Sequence, residues 1–195
     1  MKKFFLMMLS AMMILSLTAC SNSDAAVDGK STTEGVSGKK ILVAYFSCTG
    51  NTRTLAQNVA GAIGADFYEI KPAVPYTAED LDYNDETTRA TVEQRDESSR
   101  PALADKNLDV AQYETIIIAY PLWWGIEPKI IDTFVESYSF SGKIIIPVCT
   151  SGGSDIRASE DHLKKLVSGA EWKRGKLFSR NVSGAEIKSW FDGLK

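Results

Sequence analysis

Six apolar residues in a row at 41–46, Ile-Leu-Val-Ala-Tyr-Phe, run directly into Ser47-Cys48-Thr49-Gly50-Asn51-Thr52 and then into a helical pattern. A strand without polar alternation needs cover on both faces, which helices on both sides of a parallel sheet supply. Similar runs occur at 115–120 and 143–149, with a shorter one at 66–70. The intervening spacing predicts helices over 51–63, 126–139, 155–167 and 185–194, the last opened by Ser183 and Glu186 as a capping box. A weak fifth strand is expected within 172–178. Strands alternating with helices in this way define a doubly wound α/β fold. The crossover at 71–114 is long and acidic, with ten acidic against four basic residues between 77 and 110. One poorly amphipathic helix is expected there, over 85–97, closed by Arg100-Pro101.

The N-terminus carries a different pattern. Lys2 and Lys3 precede an apolar run over 4–17, which ends in Leu17-Thr18-Ala19-Cys20. Charge, apolar stretch and small-residue site together predict an export signal over 1–19. The run is short of the roughly 20 residues a membrane-spanning helix needs. Leu-Thr-Ala-Cys resembles the bacterial lipobox, which implies that Cys20 becomes the lipidated first residue of the mature chain. Plain secretion with a chance cysteine is the alternative. Residues 21–38 are rich in Ser, Thr, Asp, Gly and Ala and lack an apolar period, so 20–38 is expected to be a flexible tether and 39–195 one folded domain. All five Met residues fall within the signal, so the mature domain has no thioether to oxidise. The formal net charge is -3, and removing Lys2 and Lys3 leaves 20 basic against 25 acidic side chains, or -5. Nothing in that balance suits nucleic acid.

The segment after the first strand is the strongest functional signal. A loop at the C-terminal end of a strand that opens a helix aims free N–H groups and the positive end of the helix dipole at one point. Ser47, Thr49, Asn51 and Thr52 add short polar side chains, and Gly50 permits close backbone approach. A helix cap accounts for one or two such residues but not for five within the six positions 47–52. Cys48 to Arg53 also invites comparison with the Cys-x5-Arg loop of tyrosine phosphatases. The spacing here is Cys-x4-Arg, which would move the guanidinium off the phosphate.

The stretch 43–59 resembles the flavodoxin family, whose signature is an apolar strand, Ser/Thr-x-Thr-Gly-x-Thr, and a helix bearing Ala and an aliphatic residue. Ala44 departs from it, where a bulkier residue is usual. The resemblance extends from about residue 41 to the C-terminus. It implies a five-stranded parallel sheet of order 2-1-3-4-5 with helices on both faces. It also implies FMN as cofactor, with the phosphate on Ser47, Thr49, Gly50, Asn51 and Thr52 and no basic side chain required. Arg53 would then face solvent.

Two further loops would hold the flavin ring. Pro121-Leu122-Trp123-Trp124-Gly125 follows the third strand, and adjacent Trp residues leaving a strand point in opposite directions. One is expected in the core and the other, Trp124 by resemblance to quinone reductases, against the ring. Thr150-Ser151-Gly152-Gly153 follows the fourth strand, with backbone N–H groups available to the pyrimidine edge, although an ordinary turn looks similar. All three loops leave strand C-termini near the switch point, where such folds, flavodoxin among them, bind ligands. Cys48 and Cys149 flank the site, too far apart for a disulfide and expected to be buried. His162, the lone histidine, has no Cys or His at metal-ligand spacing and is expected at the surface, with no metal site.

The resulting expectation is a lipid-tethered, extracytoplasmic FMN protein that exchanges electrons with a redox protein or membrane electron donor. Contact with the membrane is through the lipid alone. By resemblance, the Gly125 peptide reorients when the flavin is reduced. The alternatives are an FMN-dependent quinone or nitro-compound reductase and a non-redox binding protein of the same fold.

Overall fold

The computed structural model describes residues 40–194. The expected signal over 1–19, lipidated Cys20 and tether over 20–38 lie outside the described residues. Strands β1 (Ile41–Tyr45), β2 (Asp66–Glu69), β3 (Thr115–Pro121) and β4 (Ile144–Thr150) pair in parallel, and with β5 (Glu171–Trp172) they give the expected order β2-β1-β3-β4-β5. Successive residues of each strand serve opposite layers. Leu42, Ile116, Ile118 and Ile145 pack beneath α3 (Lys129–Ser137) and α4 (Arg157–Leu166). Val43, Ile117, Ile146 and Val148 face α1 (Asn51–Ile63) and α5 (Gly184–Asp192). Burial on both faces is why these strands read as unbroken apolar runs. Among the described residues no helix is long and apolar enough to cross a membrane.

Helix boundaries move where side chains compete for backbone groups. The acidic crossover holds α2 (Arg89–Arg95), shorter than the expected 85–97, because the Asp85 carboxylate accepts from the Thr87 N–H and hydroxyl and so closes a turn ahead of the helix. Helix α3 starts behind Pro128, not at 126, since Ile126 is committed to a hairpin with Trp123. Ser183 caps α5 as expected, accepting from the Glu186 N–H.

The expected fifth strand is two short pieces, β5 and β6 (Lys176–Leu177), both paired with β4. Ile145 faces Trp172 and Val148 faces Lys176, so the edge strand gains one residue between the two pairs. That is a bulge. It lies opposite Pro147, which has no N–H to donate. The Gly175 N–H instead donates to the buried Glu160 carboxylate of α4.

His162 also departs from expectation. It is half-buried, and its Nδ1 contacts the fully buried Glu127, which accepts from Ser159 Oγ as well. Asp132 Oδ1 is 3.8 Å from the same nitrogen, while Oδ2 accepts from Lys129 Nζ over 3.3 Å and meets Arg100 at 3.7 Å. Glu127, Asp132 and His162 place ligand-type atoms within 4.8 Å of one another. Positive charge is already supplied there by Lys129 and Arg100. Asp132 Oδ1 has no donor in reach among the described residues, and a carboxylate neighbour can accept but not donate. The Glu127–Asp132 pair is therefore satisfied when one carboxyl holds a proton. Burial, with Glu127 adding to the effect and Lys129 opposing it, pushes Asp132 up to about 7.

A carboxyl raised in the folded state contributes stability that is complete below its unfolded value of 3.8 and is lost as pH rises through about 7. Asp132→Asn removes that dependence. The melting temperature of the variant minus that of the wild type should accordingly rise between pH 5 and pH 8. A difference that stays constant over this range would contradict the assignment.

Candidate functional site

At the C-terminal ends of the strands lies a cavity of about 620 Å³, within the range of small-molecule sites. Its floor begins with the turn after β1. Ser47 Oγ accepts from the Gly50 N–H at 3.1 Å, Gly50 takes φ 87°, and no side chain caps α1. The first-turn N–H groups of the helix are thus left for a ligand. Thr52 is buried, its hydroxyl 2.8 Å from that of Thr150, which ties the first loop to the one after β4. Within that second loop Ser151 Oγ accepts from the Gly153 and Ser154 N–H groups, at 3.1 and 2.8 Å.

The Trp pair separates into a buried and an exposed ring, but it is the buried Trp123, and not Trp124 as expected, that lines the cavity. Trp123 is 3% exposed and packs edge-on against Phe46 and Tyr76, with centroids 5.6 and 5.2 Å away, yet it also lines the cavity. Trp124 is 47% exposed and leans on Tyr83, 5.0 Å away, which lines the cavity itself. Trp123 and Ile126 exchange both backbone hydrogen bonds around Trp124 and Gly125, whose φ values are 50° and 90°. Two positive φ values in a two-residue hairpin are the type I′ signature. Gly125 adopts one freely, whereas Trp124 carries strain. From α2, Gln94 Nε2 donates to the Trp123 and Glu127 carbonyls, at 3.1 and 2.8 Å, fixing the hairpin from behind.

Ser47, Thr49, Asn51, Thr52, Pro121, Leu122, Trp123, Thr150, Ser151 and Gly152 all line the cavity. Gly50, Trp124, Gly125 and Gly153 shape its loops without lining it. Leu81, Tyr83 and the segment 177–180 complete the wall and were missing from the sequence reading. The rule that ligands meet the loops leaving strand C-termini covers 177–180 too, but the weak fifth strand concealed where that loop begins. Of the described residues that line it, only Arg180 carries a formal charge. The Cys48 thiol, crowded by protein with Asp80 adding and Arg89 opposing, is pushed up to about 12 and stays neutral. Cys48 is exposed as a residue, against the expectation of burial; Cys149 is buried, and both thiols are free. Arg53 faces solvent as expected, paired with Glu69.

Sheet order, switch-point cavity and uncapped helix start define an α/β protein of the flavodoxin type. The family model described as Flavodoxin matches residues 40–194, and the chain belongs to the flavodoxin family. A candidate flavoprotein from Bacteroides uniformis is 46% identical, with a TM-score of 0.76, and covers 80% of this chain and 99% of its own. One from Bacteroides eggerthii is 43% identical, with a TM-score of 0.77, over 80% and 98%. A flavoprotein from Lactobacillus acidophilus, solved in complex with FMN, shares the fold at 22% identity and a TM-score of 0.62, over 79% and 99%. No curated protein matches the chain.

Proposed function

We propose that this chain binds FMN in the cavity and passes electrons, outside the cytoplasm, between a redox protein or membrane donor and an acceptor, while held to the membrane by lipid on Cys20. The observation that carries the FMN reading is the uncapped N-terminus of α1 opening into a cavity walled by Trp123. The residues present fit the cofactor. First-turn N–H groups and the Thr49, Asn51 and Thr52 side chains meet the phosphate, the charge-assisted bonds that hold it most strongly. Trp123 and Leu122 cover apolar ring surface and exclude water. The Thr150–Gly152 backbone borders the cavity where the polar ring edge needs partners. Bound flavin supplies the redox chemistry, and the protein sets its environment. At the hairpin, Gly125 permits a change of peptide orientation that other residues resist.

Extracytoplasmic electron transfer is supported by the export pattern over 1–19 and by the lack of a second nucleotide fingerprint in the sequence. The test is an absorption spectrum of the purified protein, identification of the released flavin, and addition of NADH and NADPH. Bound FMN that NAD(P)H reduces only slowly is the expected outcome. A protein that takes up no flavin would refute the cofactor reading. Rapid, saturable oxidation of NAD(P)H would replace the carrier with a quinone or nitro-compound reductase.

A further inference from the structure

Arg180 stands at the α1 end of the cavity as the sole formal charge among the described lining residues, where the family resemblance calls for no basic side chain. Its Nη1 donates to Asn51 Oδ1 over 2.9 Å, and its carbonyl accepts from Asn58 Nδ2 over 3.4 Å. Two side chains of α1 thus draw the loop after β6 across to the helix start. No ion pair neutralises the guanidinium among the described residues, and no acidic residue lines the cavity. A guanidinium has five N–H donors, and one is accounted for here by a neutral amide. The positive end of α1 lies beside it and repels it. An anion between the helix start and the loop would suit both.

We infer that Arg180 supplies the counter-charge for the flavin phosphate and restricts the ligand to flavins ending in a phosphate monoester. The inference rests on the FMN reading and adds a specificity determinant to it. Arg180 is exposed and its loop is anchored by the Phe178 side chain, which is buried, so replacing the guanidinium leaves the fold in place. Its contribution depends on ligand charge. A phosphate monoester gains its second negative charge with a pKa of about 6.

The experiment is titration of the purified protein with FMN and with riboflavin at pH 5 and pH 8, for the wild type, Arg180→Gln and Arg180→Lys. Arg180→Gln should weaken FMN on the order of tenfold to a hundredfold at pH 8 and leave riboflavin within about twofold. Arg180→Lys, which keeps charge but loses the planar fork, should fall between. Wild-type affinity for FMN should drop from pH 8 to pH 5, and more steeply than that of Arg180→Gln. Unchanged FMN affinity in Arg180→Gln, or an equal loss for both flavins, would overturn the role of Arg180 while leaving FMN binding intact. A wild type that binds no FMN would overturn the cofactor reading itself.

Discussion

Trp123→Ala should cost about 3 to 5 kcal/mol of stability and abolish tight flavin binding together. Trp123 serves two structures at once. It fills space between Phe46 and Tyr76, and its outer edge forms cavity wall. Truncation removes a buried aromatic and leaves a void that β1 and the crossover, held by their own contacts, close only in part. Trp124→Ala is the natural control. That ring is half-exposed, so its loss should change stability by about 0.5 kcal/mol or less. Urea denaturation of the two variants, followed by FMN titration, tests the assignment. Equal stability losses for both would show that the hairpin does not divide its two rings between core and rim.

Gly175→Ala should cost about 3 kcal/mol, the upper part of the range for overpacking. A Cβ at that position would collide with the Pro147 carbonyl and lie 2.6 Å from Glu160 Oε1 and 2.7 Å from Pro147 Cγ. A backbone carbonyl in β4 and a ring locked into that strand cannot move aside. Glu160 would have to release the Gly175 N–H, leaving a buried carboxylate short of a donor. Thermal melting tests this directly. Hydrogen exchange should also show the loss concentrated at β5 and β6. Wild-type stability in the variant would mean that the edge relaxes freely.

The first strand and its loop were legible because everything they need is local. Apolar residues without alternation signal a covered strand, and Ser47 through Thr52 lie consecutively at its end. The limits of sequence appear where a remote residue decides. His162 reads as a surface residue on a polar helix, yet its partner Glu127 is 35 positions away and fully buried. The region 172–178 reads as one strand, since its bulge comes from Pro147 and Glu160 on other elements. Arg180 carries no local mark at all. It reaches the site because α1 and α5 share a face of the sheet, which places the loop before α5 beside the start of α1.

The interrupted edge also bears on how copies of this chain coexist at high local density. A parallel sheet ending in a long, regular strand offers another molecule a template for adding a strand of its own. Here the outermost ladder comes in two stretches of two residues each, thrown out of phase by the bulge, with Glu160 holding the Gly175 N–H between them. An incoming strand would find no continuous row of donors and acceptors to extend. The same glycine that makes this edge sensitive to a single methyl group thus denies an incoming strand a template on the β5–β6 side of the sheet.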